Sequence, residues 1–171
     1  MVSSRARVVA VSLLVLFAVA AARGQQPQPP DPAKALPASL MSITKQILDM
    51  AEDFPADKYG FRATPEVRSF GEVVVHAMSG TVYAAKAGRG EDVKWTEIDP
   101  KTLKDKPAIV AALKKALADC DESMKATPAA RFAQSPQPWL SVIEHTGEHY
   151  GQLVVYYRLN KMVPPASRPA K

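Results

Sequence analysis

The chain has 171 residues, enough for one domain and little more, with 47% hydrophobic residues, a formal charge of +5 and a single cysteine. Arg5, Arg7 and Arg23 carry much of the excess; no acid occurs among the first 24 residues, so the remainder holds only about +2. The other lysines and arginines are interleaved with Asp and Glu, which excludes the dense basic face of a nucleic-acid binder, and one cysteine excludes an internal disulfide.

Arg5 and Arg7 precede an apolar run from Val8 to Ala22 that only Ser12 interrupts, and Ala20-Ala21-Ala22 offers small residues to a peptidase. That order predicts a secretory signal peptide over residues 1–24, cleaved after Ala22 or Gly24. A run of about fifteen residues falls short of the roughly 20 that a membrane-spanning helix needs. The expected product is exported, periplasmic or extracellular, with no stable membrane anchor after processing. Residues 25–37 contain five prolines among polar and small residues and read as an extended linker.

The domain is expected over residues 38–168. Leu40, Ile43, Ile47, Leu48 and Ala51 keep a helical period over 38–54, which Pro55 ends. A second helix is predicted over 65–86, with Phe70, Val73, Ala77, Gly80 and Tyr83 on one side and Gly88-Arg89-Gly90 as its stop. An irregular stretch, 91–104, contains Trp95 and Pro100. The third helix is predicted over 105–126, with Pro107 tolerated in its first turn. Its stripe of Ile109, Leu113, Leu117, Cys120 and Met124 makes Cys120 a buried thiol that packs as a small hydrophobe. Pro128, Pro136 and Pro138 mark a loop, and a fourth helix is predicted over 139–160. Nothing reads as a strand. Four amphipathic helices imply an all-α four-helix bundle, and the connection between the second and third is long enough to be a crossover.

The chain contains three histidines. His145 and His149 lie four apart on the most regular helix, which brings both imidazoles to one face. Val142, Leu153 and Tyr156 step along the same face, so it is directed toward the core. His76 lies mid-helix near the stripe of the second helix. Placing three imidazoles in a small bundle costs desolvation unless each is satisfied, and one divalent ion would satisfy all three. Three histidines with an open position form a catalytic geometry known for zinc. His145-Thr-Gly-Glu-His149 also matches the H-x-x-E-H pattern of inverted zinc peptidases, with Glu148 as general base. Those enzymes need a downstream carboxylate, and residues 150–171 contain no Asp or Glu. Glu148 is therefore expected as an outer partner of a ligand or as a solvated surface charge.

Three blocks in order, Arg68-Ser-Phe-Gly-Glu-Val-Val-Val-His76, His145-x3-His149-Tyr-Gly-Gln152-Leu and Tyr156-Tyr-Arg-Leu-Asn-Lys-Met-Val-Pro-Pro165, resemble the DinB/YfiT-like superfamily. Phe54-Pro-x3-Tyr59 fits as well, and the likeness covers about residues 38–168. The resemblance implies a four-helix bundle with crossover topology and one divalent metal, zinc or nickel, on His76, His145 and His149. It implies a possible homodimer. Characterised members include S-transferases that use bacillithiol, mycothiol or glutathione, and a mycothiol-dependent isomerase. The expected function is thus a metal-dependent transferase or hydrolase that activates a thiol or water toward a small-molecule substrate. The alternative is a non-catalytic metal-binding stress or structural module. Gln152, one turn beyond His149, is expected to orient a ligand, and Tyr83 or Tyr156 to donate a hydrogen bond at the site.

Overall fold

The computed structural model describes residues 29–169. The expected signal peptide, 1–24, lies outside them. Five α-helices occur among the described residues: α1 Pro32–Asp53, α2 Phe70–Gly88, α3 Lys106–Ala126, α4 Ala129–Gln134 and α5 Gln137–Leu159. There is no strand among the described residues, and no described helix is long and apolar enough to cross a membrane.

The second half of the expected linker is helix. Asp31 caps α1, its side chain accepting from Ala33 N at 3.0 Å, and Pro32 occupies the first turn, where its missing N–H costs nothing. Buried Leu36 and Leu40 carry the apolar stripe one turn earlier than the proline count suggests. Pro37 is accommodated inside the helix. α2 begins later than expected, at Phe70, because a capping box defines its start. Glu72 N donates to Ser69 Oγ at 3.3 Å, and Ser69 N donates to Glu72 Oε2 at 2.7 Å. α3 and α5 lie within two residues of their expected bounds. Between them, Phe132 is buried on the short α4, in a stretch expected to be loop.

Contacts at the two ends fix the helix directions. Phe54, just past α1, stacks on Phe70 at the start of α2, centroids 3.8 Å apart. Lys106, opening α3, donates to the carbonyls of Glu52 and Phe54 at the same end. At the other end Thr127 Oγ1, just past α3, donates to Gly88 O at 3.1 Å. α2 and α3 are therefore parallel, and segment 89–105 runs the length of the bundle to join them, as the crossover expectation requires. Tyr157, near the end of α5, donates to Met50 O at 2.9 Å, so α5 is parallel to α1. The order is up, down, down, up. α2 packs mainly against α3 and α5, and α1 against the same two helices.

The interior falls into two apolar clusters rather than one. One gathers Phe54, Phe70, Leu113, Leu153 and Tyr157; the other gathers Leu40, Cys120, Phe132, Trp139 and Val142. Between them in sequence, three of the long helices carry a buried threonine, Thr44 on α1, Thr81 on α2 and Thr146 on α5. Each lies ten or eleven residues from the stacked aromatic end marked by Phe54, Phe70 and Tyr157, which places the three at one level of the bundle. None of the three hydroxyls has a hydrogen-bond partner among the described residues.

Candidate metal centre

His76 on α2 and the His145–His149 pair on α5 face each other across the seam between those helices. Their Nε2 atoms converge: His145 Nε2 lies 3.0 Å from that of His76 and 3.2 Å from that of His149. One shared proton satisfies one such contact, not two at the same atom. A cation satisfies both. A metal bound at about 2.0–2.1 Å to three nitrogens of a tetrahedron would set them roughly 3.3–3.4 Å apart, within a few tenths of an ångström of the observed separations. All three side chains are half-buried, and these histidines form a group that could hold a metal ion. No fourth His, Cys, Asp or Glu joins that group among the described residues.

A ligating imidazole keeps its proton on the other nitrogen, usually donating it to a partner, and the outward nitrogen of His149 matches this. His149 Nδ1 lies 3.0 Å from Gln152 Oε1, where an N–H would donate to the amide oxygen. Gln152 Nε2 then donates to Tyr156 Oη at 3.4 Å, and Tyr156 Oη donates to Arg68 O. His76 Nδ1 lies 3.2 Å from Glu97 Oε1, within ion-pair reach but off the line of a good hydrogen bond. The Arg68 guanidinium approaches the same carboxylate at 3.3 Å. His145 Nδ1 is buried without a partner.

Gly80 lets the second wall of the site close. A Cβ there would stand 3.2 Å from His145 Nδ1 and 3.3 Å from both the Trp95 ring and Val142 Cγ1. Trp95 comes from segment 89–105 and meets His145 edge to face at 4.7 Å between centroids. Tyr83 packs against Trp95 at 5.7 Å. Burial lowers the affinity of His145 for a proton, with the neighbouring His149 and His76 acting the same way, and brings its pKa down to about 4. His76 is lowered too, first by burial and then by the Arg68 charge. Neutral imidazoles at neutral pH are the ligand form.

The structure brings together His76, His145, His149, Gln152 and Tyr156, with Tyr83 one ring removed. Glu148 is exposed and makes no hydrogen bond or ion pair among the described residues, the surface-charge alternative of its sequence reading. Trp95 and Glu97 lie in the stretch 91–104, where no periodicity singles out a residue. A tryptophan in a polar loop was the one available signal.

No curated protein matches the chain. The family model described as the DinB superfamily matches residues 42–156, from the third turn of α1 to Tyr156 of the hydrogen-bonded chain around the histidines. With that span, about two-thirds of the sequence, covering the all-helical bundle and all three histidines, the chain belongs to the DinB superfamily.

Proposed function

We propose that the protein binds one divalent metal, zinc or nickel, on His76, His145 and His149 and uses it as an enzyme to activate a small nucleophile. The observation that carries this reading is the convergence of three Nε2 atoms from two helices, joined by no fourth His, Cys, Asp or Glu among the described residues. Such an ion supplies Lewis acidity, lowering the pKa of a water or thiol bound to it.

The chain's own residues do the rest. Gln152 holds the proton of His149 on Nδ1 and so presents Nε2 inward. The edge of Trp95 covers one side of His145 and narrows the approach of water. The half-exposed Arg68 guanidinium supplies positive charge beside the site, suited to a substrate with an anionic group. The basic and apolar N-terminal pattern, read as a signal peptide, supports a working place outside the cytoplasm. There low-molecular-weight thiols are scarce, so water is the favoured nucleophile and hydrolysis of a small molecule the favoured reaction.

Elemental analysis of the purified processed protein tests the metal, with an expected content of one zinc or nickel per chain. His76→Ala and His149→Ala should each reduce it to a small fraction, and Glu148→Ala should leave it intact. Cobalt loading then tests the open position. A visible spectrum that shifts when azide or a small thiol is added supports the enzyme. A spectrum indifferent to both moves the protein to the non-catalytic, metal-stapled alternative.

A further inference from the structure

Segment 89–105 does more than connect α2 to α3. It reaches the histidine site at two points, Trp95 against His145 and Glu97 against His76. Its backbone is pinned to α2 just beyond the second of them. Ile98 N donates to Ser79 Oγ at 3.0 Å, and that hydroxyl donates in turn to Val75 O at 3.2 Å. Ser79 lies three residues beyond His76, on the adjacent turn of the same helix, so the bond that follows Glu97 in the chain sets it at the height of His76.

From this we infer that Glu97 is the positioning residue for His76. Its carboxylate accepts a hydrogen bond from Nδ1–H, holds the ring so that Nε2 points at the metal, and raises the basicity of that nitrogen. The inference rests on the metal reading above. Gln152 performs the neutral version of the same task for His149, through a made hydrogen bond at 3.0 Å. On the His76 side the carboxylate stands at 3.2 Å and misaligned, with half of its surface exposed. A side chain that free needs only a rotation to align, and contacts of this kind often tighten once the site is loaded. Arg68 donates to both carboxylate oxygens of Glu97, at 3.4 and 3.3 Å, and its backbone carbonyl accepts from Tyr156. The positions holding His76 and His149 are thereby joined into one circuit running Glu97, Arg68, Tyr156, Gln152. The acid is supplied by the crossover segment rather than by a bundle helix, so the connection that defines the topology also completes the site.

The test compares zinc affinity, by competition with a chromogenic chelator, for the wild type, Glu97→Ala, Glu97→Gln and His76→Ala. Loss of an outer partner of a metal-bound histidine lowers affinity by about 10- to 100-fold. That loss is expected for Glu97→Ala, with a shifted visible spectrum of the cobalt form. Glu97→Gln should recover part of the affinity, because its amide oxygen still accepts from Nδ1. Metal-free Glu97→Ala should keep the wild-type helicity and melting temperature, since the carboxylate is half-exposed and outside the core. Affinity of Glu97→Ala within about threefold of wild type, while His76→Ala loses the metal, would overturn this inference and leave the metal reading standing. Equal losses in the Ala and Gln variants accompanied by lower helicity would overturn it also, by making Glu97 a fold residue. A wild type that binds none of zinc, nickel and cobalt would overturn both readings together.

Discussion

His76 and His145 stand 69 residues apart in the chain and 3.0 Å apart at their Nε2 atoms. Only the assembled α2–α5 seam brings them together, so the contact reports on the tertiary fold and not on either helix alone. Without an ion it is also a liability, because two protonated imidazoles at that separation repel in a half-buried site.

Acid should therefore destabilise the metal-free protein in a defined window. The pKa of His145 is depressed from 6.5 to about 4 in the fold, and that of His76 is lowered as well. Between those values the unfolded chain binds protons that the folded chain refuses, so stability falls as pH drops from about 6.5 toward 4 and is flat just above. The lowered carboxyls of Asp53 and Glu72 act in the same direction, but only as pH falls through their folded values, below their ordinary values of 3.8 and 4.5. Urea unfolding of the chelator-treated protein at pH 7.5 and 5.5 should show the loss, and His145→Gln should reduce it. An unchanged midpoint across that interval would mean that the imidazoles are solvated.

The buried threonine level gives a second expectation. A hydroxyl removed from water with no partner costs about 1–3 kcal/mol, and valine has nearly the same shape. Thr44→Val should leave stability unchanged or raise it by about 1 kcal/mol, seen as a higher urea midpoint at constant slope. A loss of more than about 1 kcal/mol would show that Thr44 Oγ1 is hydrogen-bonded inside the protein, through water or a neighbour.

Cys120 sits at 0% exposure, and burial, with the nearby Asp121 adding to it, pushes its thiol up to about 12. Only the thiolate reacts, so alkylation at pH 8 should be on the order of a thousandfold slower in the folded than in the unfolded protein. Comparable rates in urea and in buffer would put the thiol at the surface and break the register of α3.

How far the sequence disclosed this arrangement depended on periodicity. The long helices were legible because their apolar stripes repeat, and the histidine pair because a spacing of four has one geometric meaning on a helix. Gln152 and Tyr156 followed from the same ruler. The start of α1 was hidden because Asp31-Pro32, a capping residue and a first-turn proline, sits among prolines that read as linker. Ser69 and Glu72 spell a capping box, yet Pro65 offered a competing start. Glu97 could not be found at all by pattern. It is one of 17 acidic residues, and its place is set by a hydrogen bond from Ile98 to Ser79, a contact across the fold that no local spacing encodes.

Gly80 separates the site from the fold. It lies in the middle of α2, where glycine is about 1 kcal/mol less favourable than alanine, so Gly80→Ala should strengthen the helix. The new methyl, however, would stand 3.2 Å from His145 Nδ1 and 3.3 Å from the Trp95 ring and from Val142 Cγ1. Those distances are tight on three sides, and the three neighbours differ in how they can yield. Val142 is a fully buried core residue of α5. Trp95 is 42% exposed and can move outward with its loop. His145 can rotate, but only by carrying Nε2 away from its partners on His76 and His149. The variant should keep its helicity and melt within a few degrees of the wild type, while zinc affinity falls about tenfold or more through the displaced ligand. Trp95 emission should move to longer wavelength as the ring leaves the site, against the constant background of Trp139, which is fully buried. Full retention of metal affinity in Gly80→Ala would mean that Trp95 alone absorbs the methyl, and that the close approach at residue 80 serves packing of the loop rather than placement of His145.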